Sequence, residues 1–262
     1  MDDNFQTYIN RVARLTLPET HQGQLQHIQS SPKFKLNGPE APQAQPFPGY
    51  SIITPPRRDD GENDAFYDEI AEWQAQVVKA LPPNMLVPVP PRSFHVTLAD
   101  LIWDRAYWAA AKNPEFEEQL RDRITQIFAD YRQQTTPTHS LYWQVLGLAV
   151  RTRGITICLA PKDEAAYEPI VALRRTIYQN PELISLGIEQ QYHLTAHVTL
   201  GYFADLPEPL DVEAISNTLN HINLDWLSHD NLHSVWLHRA ELRKFEDMTF
   251  YSREPNWPAI EL

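Results

Sequence analysis

The tetrapeptide His95-Val96-Thr97-Leu98 recurs, unchanged, as His197-Val198-Thr199-Leu200 about one hundred residues downstream. In each copy His and Thr alternate with apolar residues. A β-strand turns successive side chains to opposite faces, so His and Thr at i and i+2 share one face while Val and Leu share the other. Each copy therefore predicts a strand whose apolar face lies on a core and whose imidazole and hydroxyl stand together over open space. The apolar runs that follow, as far as Trp103 and Phe203, extend both strands. An internal duplication of a strand-helix-strand-helix unit is the economical account of the pattern.

The rest of the chain supports that division. Residues 4–15 place Phe5, Tyr8, Ile9, Val12 and Leu15 on one helical face, closed by Pro18. From Thr20 to Pro48 the chain is rich in Gln, Pro, Ser and His and reads as an extended arm. Tyr50 to Thr54 predicts a short strand, and Ala65 to Leu81 a helix with Phe66, Ile70, Trp73, Val77 and Leu81 at helical spacing. A proline-rich turn (Pro88, Pro90, Pro91) then leads into the first histidine strand. Glu115 to Arg132 forms a second amphipathic pattern. Leu141 to Val150 and Gly154 to Leu159 read as a hairpin, Glu164 to Tyr178 as a helix, and Val212 to Ile222 as a weaker one. Val235 to Leu242 and Met248 to Tyr251 close the chain as a hairpin around Lys244-Phe245-Glu246-Asp247. Hairpins mixed with helices predict an α+β fold with largely antiparallel sheets rather than a doubly wound parallel one. The expected organisation is an N-terminal helix and arm over 1–45, followed by 46–262, with a first repeat at about 46–135 and a second at about 139–251.

Composition narrows the function. A formal charge of −12 opposes avid binding of long nucleic acid, which depends on clustered Lys and Arg. It leaves room for a small phosphorylated substrate in a locally basic cleft, for which Arg92, Arg151, Arg153, Arg239, Arg243 and Lys244 are candidates. No apolar run reaches membrane-spanning length, and an acidic, polar start is unlike a signal peptide, so the cytoplasm is the expected location. The single cysteine, Cys158, lies in an apolar strand-like run and is expected to pack as a small hydrophobe. One cysteine excludes an intramolecular disulfide and a cysteine-rich zinc site. With eight glycines and no glycine-rich phosphate loop, a nucleotide-binding P-loop or dinucleotide fold is not expected, nor is a G-x-S-x-G nucleophile elbow.

Two strands of this kind supply two imidazoles and two hydroxyls, a set that can exchange protons with a phosphate and hydrogen-bond it. His193/His197 and His229/His233 have the i, i+4 spacing of helical zinc pairs. Neither has the Glu that a H-E-x-x-H metalloprotease needs, and the first overlaps an expected strand, so no metal is expected. His21, His27, His139, His221 and His238 are expected at the surface or as caps.

Two H-x-T motifs separated in this way resemble the 2H (two-histidine) phosphoesterases, the superfamily of LigT-like RNA ligases and cyclic phosphodiesterases. Lys33-Phe34-Lys35-Leu36-Asn37-Gly38 and Phe47-Pro48-Gly49-Tyr50-Ser51-Ile52-Ile53 are similar to segments of one 2H branch, a domain of unknown function (DUF1868). The resemblance spans about Lys33 to Phe203. It implies two pseudo-symmetric lobes with a cleft between them, His95 and His197 as catalytic residues, and Thr97 and Thr199 as phosphate ligands. It further implies a metal-independent opening of a cyclic phosphodiester without a cofactor, with His197 activating water and His95 protonating the leaving oxygen. The substrate would be a 2′,3′-cyclic nucleotide, an RNA 3′ end or an ADP-ribose cyclic phosphate. A ligase running the reverse reaction, and a non-catalytic module binding a phosphorylated ligand, are the alternatives. Tyr202, Trp103, Arg151 and Arg243 are candidates for the cleft rim. The N-terminal arm has no counterpart in the smaller LigT-like proteins and would cap the cleft, join two chains or cover a sheet edge.

Overall fold

A computed structural model describes residues 2–36, 42–135, 140–190, 192–228 and 234–262. Its elements run α1 (Phe5–Leu15), α2 (Pro18–Leu25), β1 (Phe34–Lys35), β2 (Gln43–Ala44), β3 (Gly49–Ile53), α3 (Asp64–Ala80), β4 (Leu86–Pro88), β5 (Thr97–Trp103), α4 (Asp104–Ala110) and α5 (Phe116–Gln134). The second half continues with β6 (Tyr142–Arg151), β7 (Gly154–Pro161), α6 (Glu164–Tyr178), α7 (Pro181–Ser185), β8 (His197–Phe203), α8 (Val212–Leu227), β9 (Val235–Trp236), β10 (Arg239–Asp247), β11 (Phe250–Ser252) and β12 (Ala259–Glu261).

The fold is α+β with antiparallel sheets. One sheet has the order β11-β10-β3-β5, with β12 also on β10; the other has the order β4-β8-β7-β6-β9; β1 and β2 form a separate ribbon. Every strand pairing among the described residues is antiparallel. The sheets do not follow the halves of the sequence. β4, from the first half, pairs with β8, placing Leu86 opposite Phe203. β10, near the C-terminus, pairs with β3, placing Leu242 opposite Ile52. Each half thus lends strands to the other's sheet.

The helices form where the apolar stripe repeats at helical spacing. α3 buries Phe66, Ile70, Trp73 and Val77, and α5 buries Leu120, Ile124, Ile127 and Phe128. Side-chain caps fix four starts among the described helices: Asn4 for α1, Asp163 for α6, Asn180 for α7 and Asp211 for α8 each accept a backbone N–H of the first turn. β7 is buried along its whole length, which explains why it reads as a continuous apolar run rather than an alternating one. Cys158 lies there, fully buried, and burial pushes its thiol up to about 11.

Three expectations are corrected. Part of the expected arm is helical: Pro18 opens α2, since a first-turn proline loses no helical hydrogen bond, and α2 packs against α8 and β6. His21 on that helix is fully buried rather than a surface residue, its ring nitrogens meeting Asn220 Oδ1 and the Leu148 carbonyl, each at 2.8 Å. Lys244 to Asp247 are strand, not turn, because Phe245 is buried against Tyr251, and the chain reverses at Met248 and Thr249. His139, His229 and His233 lie outside the described residues.

Candidate active site

Both histidine strands carry the same irregularity at the same position. In the β3–β5 pair, Ile53 faces Thr97 and Ile52 faces Ala99, so Leu98 is an extra residue. In the β7–β8 pair, Thr156 faces Thr199 and Ile155 faces Gly201, so Leu200 is the extra residue. A bulge bends its strand, sharpens the local twist and re-aims neighbouring side chains. A buried polar side chain meets the carbonyl of each extra residue, and the Leu200 carbonyl also accepts from the Val89 N–H at 3.1 Å. Arg174 of α6 donates to the Leu98 carbonyl, and Gln74 Nε2 of α3 donates to the Leu200 carbonyl at 2.7 Å. The final leucine of each tetrapeptide is thus a bulge held from a helix.

Val96, Leu98, Val198 and Leu200 are fully buried, whereas His95, Thr97, His197 and Thr199 are half-buried. All four polar residues line one cavity of about 300 Å³, whose wall also includes Lys33, Phe47, Ser51, Asp100, Trp103, Tyr202 and Tyr251. The two imidazoles are held alike. His95 Nδ1 lies 2.7 Å from the Ser93 carbonyl, and His197 Nδ1 lies 2.6 Å from the Thr195 carbonyl. A carbonyl only accepts, so Nδ1 carries the hydrogen in each ring and Nε2 keeps the lone pair. The His95 ring also lies edge-on to Tyr251, with centroids 4.3 Å apart.

Burial pushes the His95 imidazole down to about 4, with the nearby His197 adding to the fall and the bond to Ser93 opposing it. Burial also lowers His197, followed by the Arg151 guanidinium. Both rings are therefore neutral at pH 7 in the free protein. Asp100 acts in the opposite direction on both, since its carboxylate favours each imidazolium. That carboxylate is fixed, accepting from Ser51 Oγ and from Tyr192 Oη, each at 3.0 Å.

The N-terminal helix braces the approach to His197. Tyr8 Oη accepts from the Ala196 N–H at 3.1 Å and donates to the Leu159 carbonyl at 2.8 Å. Arg11 donates to the Leu194 carbonyl and, at 2.9 Å, to Thr195 Oγ1. Asp2 accepts from the Leu194 N–H and forms a buried ion pair with Arg174, both at 2.9 Å. The carbonyl that orients His197 thus belongs to a segment tied to α1 and to the residues preceding it. His193 of that segment turns outward to Asp3, 3.3 Å away, while His197 lines the cavity.

The rim candidates separate. Trp103 and Tyr202 line the cavity. The Tyr202 ring already packs against Phe34, with centroids 5.9 Å apart, and against the Lys33 ammonium. Arg151 and Arg243 are not among the lining residues. Arg243 is buried in ion pairs with Glu241 and Asp59, Arg239 pairs with Glu241, and Lys244 pairs with Glu117. Arg243 stands opposite Ser51, on the face toward the site, but Glu241, two residues earlier on the same strand, and Asp59 hold its guanidinium. Sequence reasoning missed Lys33 and Asp100 as wall residues. Asp100 had a signal, three residues beyond Thr97 on the same strand, but the bulges shift the alternation there.

No family model matches the chain, and no curated protein matches it. Among solved structures, a conserved protein of unknown function, ATU0111 from Agrobacterium tumefaciens, aligns with a TM-score of 0.52 at 16% identity, covering 87% of this chain and 93% of that one. The two share a fold. LigT from E. coli in its apo form aligns with a TM-score of 0.44 at 15% identity, covering 83% of this chain and 99% of LigT. LigT complexed with 3′-AMP gives 0.41 at 15% identity, over 83% and 95%.

Proposed function

We propose that this protein is a 2H phosphoesterase of the LigT-like type, nearest the DUF1868 branch, which opens a cyclic phosphodiester by two-histidine acid–base catalysis. The observation that carries the reading is the convergence of both His-x-Thr pairs on one cavity, with each imidazole held through Nδ1 by the carbonyl two residues upstream. Hydrolysis of a cyclic phosphodiester needs a base for the attacking water and an acid for the departing ribose oxygen, placed roughly in line across phosphorus. His197 Nε2 takes the proton from water as the new P–O bond forms. His95 Nε2 gives a proton to the ribose oxygen as the old P–O bond breaks. Thr97 and Thr199 donate to the non-bridging oxygens, where charge accumulates in the transition state.

The substrate we propose is a small phosphorylated nucleotide or an RNA end: a 2′,3′-cyclic nucleotide, an RNA 3′-cyclic phosphate or an ADP-ribose cyclic phosphate. A cavity of about 300 Å³ suits one nucleotide rather than a length of strand. Among the described residues no helix is long and apolar enough to cross a membrane, and we place the protein in the cytoplasm. The test is turnover of these three substrates in excess chelator by the full-length protein and by its His95→Ala and His197→Ala variants. We expect chelator-resistant turnover that falls by about 10²–10⁴-fold in each variant, the usual worth of a positioned acid or base. Turnover abolished by chelator, or retained in either variant, overturns the mechanism.

A further inference from the structure

Beyond the two motifs, the cavity wall has a fixed cation. Lys33 stands just ahead of β1, and its backbone is held by the ribbon: the Gln45 N–H donates to the Lys33 carbonyl at 2.9 Å, and the Lys33 N–H donates to Ser31 Oγ at 3.3 Å. Its ammonium lies 4.5 Å from the centroid of the Phe47 ring and 4.6 Å from that of Tyr202. It donates to Tyr202 Oη at 3.3 Å. Among the described residues no carboxylate forms an ion pair with it, whereas Arg239, Arg243 and Lys244 each have one.

An ammonium has three N–H donors, and Tyr202 accounts for one. The two aromatic faces hold the charge in place through their negative quadrupoles without neutralising it. The acidic residue among the described wall residues, Asp100, is committed to Ser51 and Tyr192. Both imidazoles are neutral in the free protein, so among the described wall residues Lys33 is the permanent positive charge. A partly buried cation aimed at a cavity, oriented but unpaired, is an anion-binding group waiting for its anion.

We propose that Lys33 Nζ binds a phosphate oxygen of the ligand, making the ribbon segment ahead of β1 a third wall of the phosphate site alongside the two histidine strands. The proposal deepens the phosphoesterase reading and names one of its phosphate ligands. The oxygen belongs either to the scissile phosphate or to a second phosphate on the same nucleotide, and the same chemistry serves both.

Inorganic phosphate is the first probe, because its binding needs no turnover. Saturable binding to the full-length protein is followed by calorimetry and on the imidazole C2 protons, for wild type, Lys33→Met and Lys33→Arg. Loss of a charged donor should weaken phosphate about tenfold in Lys33→Met, and Lys33→Arg should stay within about threefold of wild type. Lys33→Gln, which keeps a hydrogen-bond donor without the charge, should bind like Lys33→Met and stands in for it should Lys33→Met fail to fold. Turnover of a 2′,3′-cyclic nucleotide with and without a 5′-phosphate then locates the oxygen. An equal rise in KM for both substrates in Lys33→Met assigns the scissile phosphate, and a rise confined to the 5′-phosphorylated substrate assigns a second one. Phosphate binding in the charge-free variants equal to wild type, or no saturable binding in wild type, overturns the proposal. Lys33-dependent phosphate binding in a protein that turns over none of the cyclic substrates would leave this proposal standing and remove the phosphoesterase reading.

Discussion

Both imidazoles are neutral in the free protein, and the change at His95 when a phosphate binds beside it can be worked out. Burial holds His95 down to about 4, well below its ordinary value of 6.5. At pH 7 it therefore cannot act as an acid in the free protein. A phosphate anion placed about 4 Å from the ring stabilises the imidazolium by about 4 kcal/mol at an effective dielectric constant of about 20. At 1.36 kcal/mol per pKa unit this is a rise of about 3 units, which brings His95 to about 7 in the complex. The substrate thus loads the acid with its proton. The assay is a C2-proton NMR titration of the free protein and of the complex with a nucleoside 2′-monophosphate, with each resonance assigned by its loss in His95→Ala or His197→Ala. The sign is fixed: an anion raises the value, and removal of water from the ring lowers it. The same ordering makes the upper limb of kcat against pH lie above that of kcat/KM, since the first reports the complex and the second the free enzyme. A free-protein His95 titrating at or above 6.5 would refute the burial argument, and a His95 unmoved by ligand would refute the placement of phosphate beside it. Because its folded-state value is depressed, neutral His95 also contributes stability that is complete above pH 6.5 and is lost as pH falls toward 4.

Further perturbations follow from the same contacts. Asp100→Asn removes the carboxylate that favours both imidazolium ions, so both rings should titrate lower in the same NMR experiment. Thr97→Val and Thr199→Val should each lower kcat by about 10²-fold, in the range of lost oxyanion donors, with little change in the thermal midpoint. Gln74→Leu leaves the Val89 and Leu200 carbonyls without their side-chain donor and should cost about 1–3 kcal/mol in urea unfolding. Arg174→Met strands the buried Asp2 carboxylate and the Leu98 carbonyl and should cost about 3–5 kcal/mol.

Much of this was legible in the sequence because it rests on periodicity. The doubled tetrapeptide predicted which side chains share a face, and Val96, Leu98, Val198 and Leu200 are buried while the His and Thr between them border the cavity. α6 was legible to the residue because Asp163 caps it and Tyr167, Ile170, Val171 and Ile177 recur at helical spacing. What escaped depends on long-range pairing. Strand alternation says nothing about which sheet a strand joins, so the exchange of β4 and β10 between the sheets left no local mark. Lys33 was equally opaque, since an exposed lysine and one facing an aromatic pair have the same sequence. Arg243 looked like a substrate cation because one of its partners, Asp59, is brought to it only by the fold, while Glu241 shares its strand two residues away.

The bulges explain how a duplicated motif yields a two-sided site rather than two separate ones. A regular strand would continue the alternation past Thr97 and Thr199. The inserted Leu98 and Leu200 break it at equivalent points, and each places a carbonyl in the core that takes a polar side-chain donor there, although Leu200 also keeps a backbone donor in the Val89 N–H. Gln74 and Arg174 supply those donors from equivalent helices but with different chemistry. A neutral amide satisfies one bulge outright, whereas a guanidinium brings a charge that must itself be balanced. Asp2 balances it and also accepts from Leu194 on the approach to His197, so the partner of the first bulge is tied to the support of the second histidine. Arg174 therefore couples the two halves of the site through one buried ion pair. Loss of that pair should loosen His95 and His197 together, whereas loss of Gln74 should be felt at the His197 strand and at Val89, without an unbalanced charge left behind.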